Sequence, residues 1–230
     1  MSRASTPDDA PPRLILASRS PARTRLLRDS GIAFEQLISD VDEQAALAAA
    51  ERSRGRALAP AETALTLARS KAEAVAALPE AAGALVLGCD SVFELDGAAH
   101  GKPHTAEAAI ERITAMSGRT GTLHTGHWLV DTRSDAVGPT GTAAHTEPHG
   151  AVRSAEVTFD ELTAEQVRAY VATGEPLEVA GSFTIDGYGA AFVTGIRGES
   201  HTVLGLSLNA LTHLLAEAGV RITELWVPRT

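Results

Sequence analysis

The segment Leu85-Val86-Leu87-Gly88-Cys89-Asp90-Ser91 narrows the fold more than any other part of the chain. It opens on an apolar run without polar alternation, the pattern of a strand covered on both faces. It follows Ala61 to Leu78, where Leu65, Ala68, Ala72 and Val75 recur at three- and four-residue steps, the period of a helix with one apolar face. A buried strand after a long helix places the chain in the α/β class, with a central mixed sheet flanked by helices. Gly88 is expected to free the backbone, so that Asp90 is delivered at the carboxyl end of a central strand, where open α/β sheets bind ligands. Asp96-Gly97 predicts a tight turn, and a hairpin there would return Gly101-Lys102-Pro103 toward Asp90. An acid and a lysine at one sheet edge suit a metal-bound phosphate. Read alone, they are equally a solvent-facing aspartate and a surface lysine.

Leu14 to Ala17 reads as a first strand, followed by Ser18-Arg19-Ser20-Pro21-Ala22-Arg23. Pro21 suits the first turn of a helix and Ser20 its N-cap. A strand, a serine-rich turn and a helix N-terminus form an anion site, to which Arg23 can add a forked contact. Ile32 to Ile38 predicts a second strand, ending in Ser39-Asp40-Val41-Asp42-Glu43. By itself that acidic cluster is a solvated loop capping the helix from Gln44 to Ser53. Lys71, near the apolar stripe of the long helix, by itself is a stem packed on the core with its head in water.

Further on, Thr105 caps a helix reaching Met116, and Thr122 to Asp131 alternates as a strand. Residues 132–150 show no periodicity and read as a mobile loop. Val152 to Phe159 predicts a strand. Thr163 caps a helix to Ala172, with Gln166 completing a capping box. A glycine-bearing loop leads to Asp186-Gly187-Tyr188-Gly189, then a strand from Ala190 and a helix from Leu206 to Ala218.

Composition removes several functions. A net charge of -9 over 230 residues argues against a nucleic-acid surface. The single cysteine, Cys89, excludes internal disulfides and paired-cysteine zinc sites. With no histidine near it in sequence, Cys89 reads as a small packed side chain. No apolar run approaches the roughly 20 residues of a membrane span. Residues 1–12 are polar, lack the apolar centre of a signal peptide, and read as a disordered tail on a cytoplasmic protein. At 230 residues the chain suits one domain of two lobes, or two small domains. Gly97 to Lys102 is one residue short of a P-loop and has Pro103 where a hydroxyl must hold magnesium, which weakens a kinase-like reading. Phe192 stands where a dinucleotide fingerprint needs its third glycine. His100/His104 and His145/His149 have helical metal-ligand spacing, but each pair encloses a proline, which argues against one helix; His124 and His127, three apart on a strand, face opposite sides.

Taken in order, LILASRSPARTRLL with VDE, LARSKAEAV, LGCDSV with GKP, MSGRTGTLHTGH, TGEPLEVAGSFTIDG and VLGLSL resemble the Maf family of nucleoside triphosphate pyrophosphatases, over about Leu14 to Leu215. The resemblance implies a single α/β domain over residues 13–230, of two lobes with a cleft between them, and cleavage of a nucleoside triphosphate to monophosphate and pyrophosphate, with Mg2+ or Mn2+ as cofactor. By position, Glu43 and Asp90 are its acidic pair and metal ligands. Lys71, Lys102, Arg23 and Ser18 are its phosphate grip, with Ser91 and Asp186 also on the substrate. Asp90 is the family's proposed general base; the alternative is that it mainly holds a metal whose bound water is the nucleophile. An aspartate ordinarily titrates near 4, a metal and two lysines would lower it, and Glu43 would raise it. The family's first block usually reads Ser-Pro-Arg-Arg or Ser-Pro-Trp-Arg, whereas Ala22 stands here. Asp186 stands where one branch has Gln and another Glu. An ionised Asp186 only accepts hydrogen bonds, so guanine, with two adjacent donors, is expected over thymine and uracil. The family is often homodimeric. The competing class is a non-catalytic nucleotide-binding regulator of cell division, since family members are linked to septum formation.

Overall fold

The computed structural model describes residues 11–133 and 149–227. Its strands are β1 (Arg13–Ala17), β2 (Glu35–Leu37), β3 (Ala84–Leu95), β4 (Ala98–His100), β5 (Thr120–Asp131), β6 (His149–Phe159) and β7 (Val193–Arg197). Its helices are α1 (Pro21–Asp29), α2 (Glu43–Arg54), α3 (Pro60–Ala76), α4 (Ala106–Met116), α5 (Ala164–Ala172), α6 (Ser200–Val203) and α7 (Leu208–Glu217). The strands join in one sheet of order β2-β1-β3-β5-β6-β7, with β4 also on β3. The sheet changes character at β3. On one side β1 runs parallel to β2 and β3, because helical crossovers connect them, as parallel neighbours require. On the other side β5, β6 and β7 are antiparallel.

Both faces of β3 are covered, as its apolar run predicts. Leu85, Leu87 and Cys89 pack with Leu14 and Leu16 against Leu27 of α1 and Leu211 and Leu215 of α7. Val86 faces the other way, with Ile15 and Ala17, against Val75 of α3. A second lobe forms at the far end of β3. There Phe93, Phe159 and Phe183 meet edge to face at centroid distances of 4.9 to 6.0 Å. Beside them α4 and α5 share their own apolar cluster around Ile113, Val167 and Tyr170.

Four expectations change. β3 does not end near Asp90: it runs on to Leu95 because β5 keeps pairing with it as far as Glu94 and Thr122. What ends there is the neighbour. β1 pairs no further than Gly88, and β4 takes up that edge only at Phe93. Residues 89–92 therefore line a notch between two strands. Nor does Gly88 free the backbone. A Cβ there would lie 2.1 Å from the Ala68 carbonyl oxygen, and one at Gly126 would lie 2.4 Å from that of Ala64. These glycines let α3 lie directly on the sheet. The second strand shrinks to Glu35–Leu37, Ile32 bridging Trp226 instead. Residues 188–192 form 3-10 turns before β7.

Other local signals hold. Ser20, Thr105 and Thr163 cap their helices, Thr163 within a capping box. Asp96 and Gly97 adopt φ of 53° and 78°, the left-handed pair a two-residue hairpin turn needs. Most of the expected 1–12 tail, and residues 134–148 of the expected 132–150 loop, lie outside the described residues; His149 already belongs to β6. Among the described residues no helix is long and apolar enough to cross a membrane.

Candidate active site

Successive strand residues point to opposite faces of a sheet, and β3 uses this at Asp90 and Ser91. Asp90 faces α3. Lys71 Nζ donates to Asp90 Oδ1 at 2.5 Å and lies 2.8 Å from Glu43 Oε1. The acidic run before α2 divides its labour. Asp42 is the cap, accepting from the Ala45 N–H at 2.9 Å, which leaves Glu43 free to meet the lysine. Lys71 and Asp90 side chains keep only 16% and 14% of their exposure, while Glu43 is half exposed. Lys71 is thus no snorkelling stem: its ammonium lies between two carboxylates.

Ser91 faces α1. The Arg23 guanidinium donates to Ser91 Oγ at 3.0 Å, to Ser18 Oγ at 2.9 Å and to the Gly205 carbonyl at 2.6 Å. Thr125 Oγ1 donates to the Thr202 carbonyl at 2.8 Å. The 2.9 Å contact between Ser91 and Thr125 therefore uses the serine proton, which leaves Ser91 an acceptor for Arg23. Arg23 is 8% exposed, and among the described residues it meets only neutral oxygens and forms no ion pair. A buried cation with no direct ion pair is expensive; Arg23 acts on the Asp90 charge through space rather than by contact.

The two faces are charged in opposite senses. Glu43 and Asp90 outnumber Lys71 by one; Arg23 stands alone. Burial pushes the Asp90 carboxyl up from its usual range, outweighing Lys71 and Arg23, while Glu43 adds to the rise. That reverses the direction expected from its charged neighbours alone, because the strand's burial is absent from any list of nearby charges. Cys89 behaves as expected: it is buried, and burial pushes its thiol up to about 12.

Glu43 and Asp90 suit a small divalent cation. They supply hard oxygen ligands, and no group of three or more His, Cys, Asp or Glu comes together among the described residues. Mg2+ is commonly held by one or two carboxylates, the rest of its shell coming from water and substrate phosphates, so the residues present fit such an ion.

The remaining sequence-predicted residues lie apart. Lys102 rests on Glu178 at 3.7 Å, both exposed, and enters neither cluster. Asp186 is paired with Arg25, whose Nη1 donates to Oδ2 at 3.1 Å. Sequence reading missed Arg25, Thr125, Gly205 and Glu175. Glu175 accepts from Tyr170 Oη, Thr184 Oγ1 and the N–H groups of Tyr188 and Gly189, at 2.6 to 2.9 Å, and so clamps the loop that carries Asp186. Its setting, Gly-Glu-Pro after a capped helix, signalled only a loop. An apolar cavity bounded by Ile113, Phe159, Phe183 and Phe192 in the second lobe shares no lining residue with either cluster.

The Maf-like protein family profile matches residues 13–218. A Streptomyces coelicolor protein named nucleoside triphosphate pyrophosphatase is 52% identical over 216 residues, which is 94% of this chain and 95% of that one. Proteins of the same name from Streptomyces avermitilis and Leifsonia xyli are 50% and 49% identical, across 94% and 93% of this chain and 96% of each relative. With the family profile spanning both lobes and the notch between them, this chain belongs to the Maf family.

Proposed function

We propose that the protein is a nucleoside triphosphate pyrophosphatase that hydrolyses triphosphates to monophosphate and pyrophosphate, with a divalent metal as cofactor. The observation that carries the reading is the opposed charge of the two faces of β3: a two-carboxylate cluster with one lysine, and a buried arginine with no direct ion pair among the described residues. A metal-bound polyphosphate brings both charges that this site lacks, a cation for the first face and anionic oxygens for the second. The names of the relatives support the same activity.

In this reading Arg23, Ser18 and the capped start of α1 hold phosphate oxygens, helped by the free N–H groups and dipole of that helix. Lys71 orients Asp90 and lies near the phosphate chain. Asp90, raised by burial, takes the proton of the attacking water as the bond between the α- and β-phosphates breaks and pyrophosphate leaves. Glu43 would hold the metal, which when bound neutralises charge on the departing phosphates; were Asp90 its second ligand, a metal-bound water would lose the proton instead. Lys102 would join the grip by leaving Glu178. A cytoplasmic location, with a nucleotide rather than a nucleic acid or membrane as partner, belongs to the same proposal.

The test is product analysis with a panel of triphosphates and added Mg2+ or Mn2+. Monophosphate and pyrophosphate in equal amounts, dependent on the metal, are expected. Orthophosphate as first product would overturn the reading, and tight binding without turnover would favour the regulator class.

A further inference from the structure

We propose that the protein carries a second catalytic site, separate from the phosphate-handling one: Ser154 is a nucleophile, activated by His124 and Glu94, that attacks the carbonyl carbon of a small carboxylic ester. His124 Nδ1 lies 2.7 Å from Ser154 Oγ, and His124 Nε2 lies 2.8 Å from Glu94 Oε2. A nucleophile within hydrogen-bond reach of a base, and a third group that orients the base, are the parts of an activated serine. Such a constellation is recognised by geometry and roles, whatever the order of its members along the chain.

Sheet register builds it. Ser154 of β6 stands directly opposite His124 of β5, and His124 stands opposite Val92 of β3, which puts Glu94 on its diagonal. Opposite and diagonal residues of paired strands share a face and lie within reach of each other. The face is the one that carries Asp90 and α3, because Asp90 pairs with Gly126 and every second residue follows it. Val92 and Glu94 continue that row beyond Asp90.

Proton positions follow from the donors available. An ionised carboxylate only accepts, so Nε2 carries the ring hydrogen and donates to Glu94. Nδ1 then has the lone pair and accepts from the Ser154 hydroxyl, whose proton already points at its base. Exposure is graded along the row. The His124 and Glu94 side chains keep 12% and 32% of theirs, while Ser154 is exposed. The base is shielded and the nucleophile is open. β6 pairs with β7 only from Glu156 onward, so no strand among the described residues lies beside the outer edge of β6 at Ser154. An unpaired strand edge presents N–H groups, the donors that an oxyanion uses. Packing alone does not call for this row, since a sheet face is stabilised best by β-branched and aromatic side chains.

In the reaction, Ser154 Oγ bonds to the acyl carbon as its proton passes to His124 Nδ1. The ester C–O bond breaks, and the alcohol leaves with that proton. Water then repeats the sequence: its proton goes to Nδ1, its oxygen bonds to the acyl carbon, and Ser154 departs as it regains the proton. Glu94 touches no substrate; it is a positioning residue that holds the ring tautomer.

The test treats the full chain with diisopropyl fluorophosphate, follows adducts by intact and peptide mass spectrometry, and measures turnover of 4-nitrophenyl acetate in parallel. A single adduct per chain, on Ser154, is expected. His124→Gln should slow labelling at least about a hundredfold, the range for losing a general base. His124→Asn removes the base a second way, should the longer amide disturb the strands. Glu94→Gln should also slow it: an amide can donate to Nε2, which moves the ring hydrogen to Nδ1, where it no longer accepts from Ser154. Glu94→Asp keeps the acceptor and should recover part of the rate. Ser154→Ala should abolish both signals while triphosphate hydrolysis stays at the wild-type rate, so a failure of this site is distinct from a failure of the one around Asp90. No adduct on Ser154, or equal labelling rates in the wild type and the His124 variants, would overturn the proposal and leave a cross-strand polar row.

Discussion

The two faces of β3 meet at adjacent residues and solve different problems. On the α3 face, Lys71 is saturated: it touches Asp90 at 2.5 Å and Glu43 at 2.8 Å. On the α1 face, Arg23 is coordinated but not neutralised, with Ser18, Ser91 and Gly205 as its partners. Both faces depend on glycine for close approach. Gly88 and Gly126 admit the backbone of α3, whereas Gly205, at φ +97°, admits the guanidinium, whose Nε would lie 3.0 Å from an added Cβ. The difference teaches that proximity of charge is not the same as readiness for a ligand. The saturated face positions a carboxylate whose hold on a proton burial strengthens. The unsaturated face keeps a buried positive charge in contact with neutral oxygens only. A strand is the element that can present both within one residue step.

The largest effect expected is from Asp90→Asn, which removes the proposed proton acceptor and leaves the α1 face intact. Turnover should fall at least about a hundredfold, the range for losing acid–base help, with KM for the nucleotide changed much less. If the loss appeared in KM instead, Asp90 would be an anchor and the division of labour between the faces would be wrong.

Gly88→Ala tests the saturated face through packing. The new methyl meets the α3 backbone, which has little room to give, so a loss of about 1–3 kcal/mol is expected from overpacking. Lys71 should be displaced with the helix. Urea midpoints and metal-dependent turnover, measured together, check it; unchanged turnover would show that α3 need not sit so close to deliver the lysine.

The smallest effect sharpens the unsaturated face. His127 is fully buried two residues from Thr125, and its Nε2 accepts from the Ser207 N–H at 2.8 Å. Burial is the largest cause pushing its pKa down to about 4, with Arg23 among the charges that add to the fall. In the unfolded chain it titrates near 6.5. Between these values the unfolded state binds more protons, so stability rises with pH. The contribution is whole above about pH 6.5 and is lost as pH falls toward about 4. At pH 5 the loss is about 2 kcal/mol. Urea unfolding at pH 7 and pH 5 should show His127→Gln losing that much less than wild type; equal losses would mean that His127 does not titrate with folding.

What the sequence by itself determined lies within a few residues of chain. Ser20 before Pro21, the Thr163 and Gln166 capping box, the Asp96-Gly97 turn and the apolar stripe of α3 are all local patterns, and each holds in the structure. The run from Leu85 gave a central strand for the same reason: burial on both faces leaves its mark on every residue of the run. Tertiary structure alone decided the partners. Arg23 meets Gly205 across 182 residues and Asp186 meets Arg25 across 161, separations at which no local period carries information. It also decided which residue of the acidic run capped α2 and which reached Lys71, and it kept Lys102 on Glu178. Finally it set the direction of the Asp90 shift, since burial is a property of everything packed around a side chain, and the identity of its charged neighbours is only part of that sum.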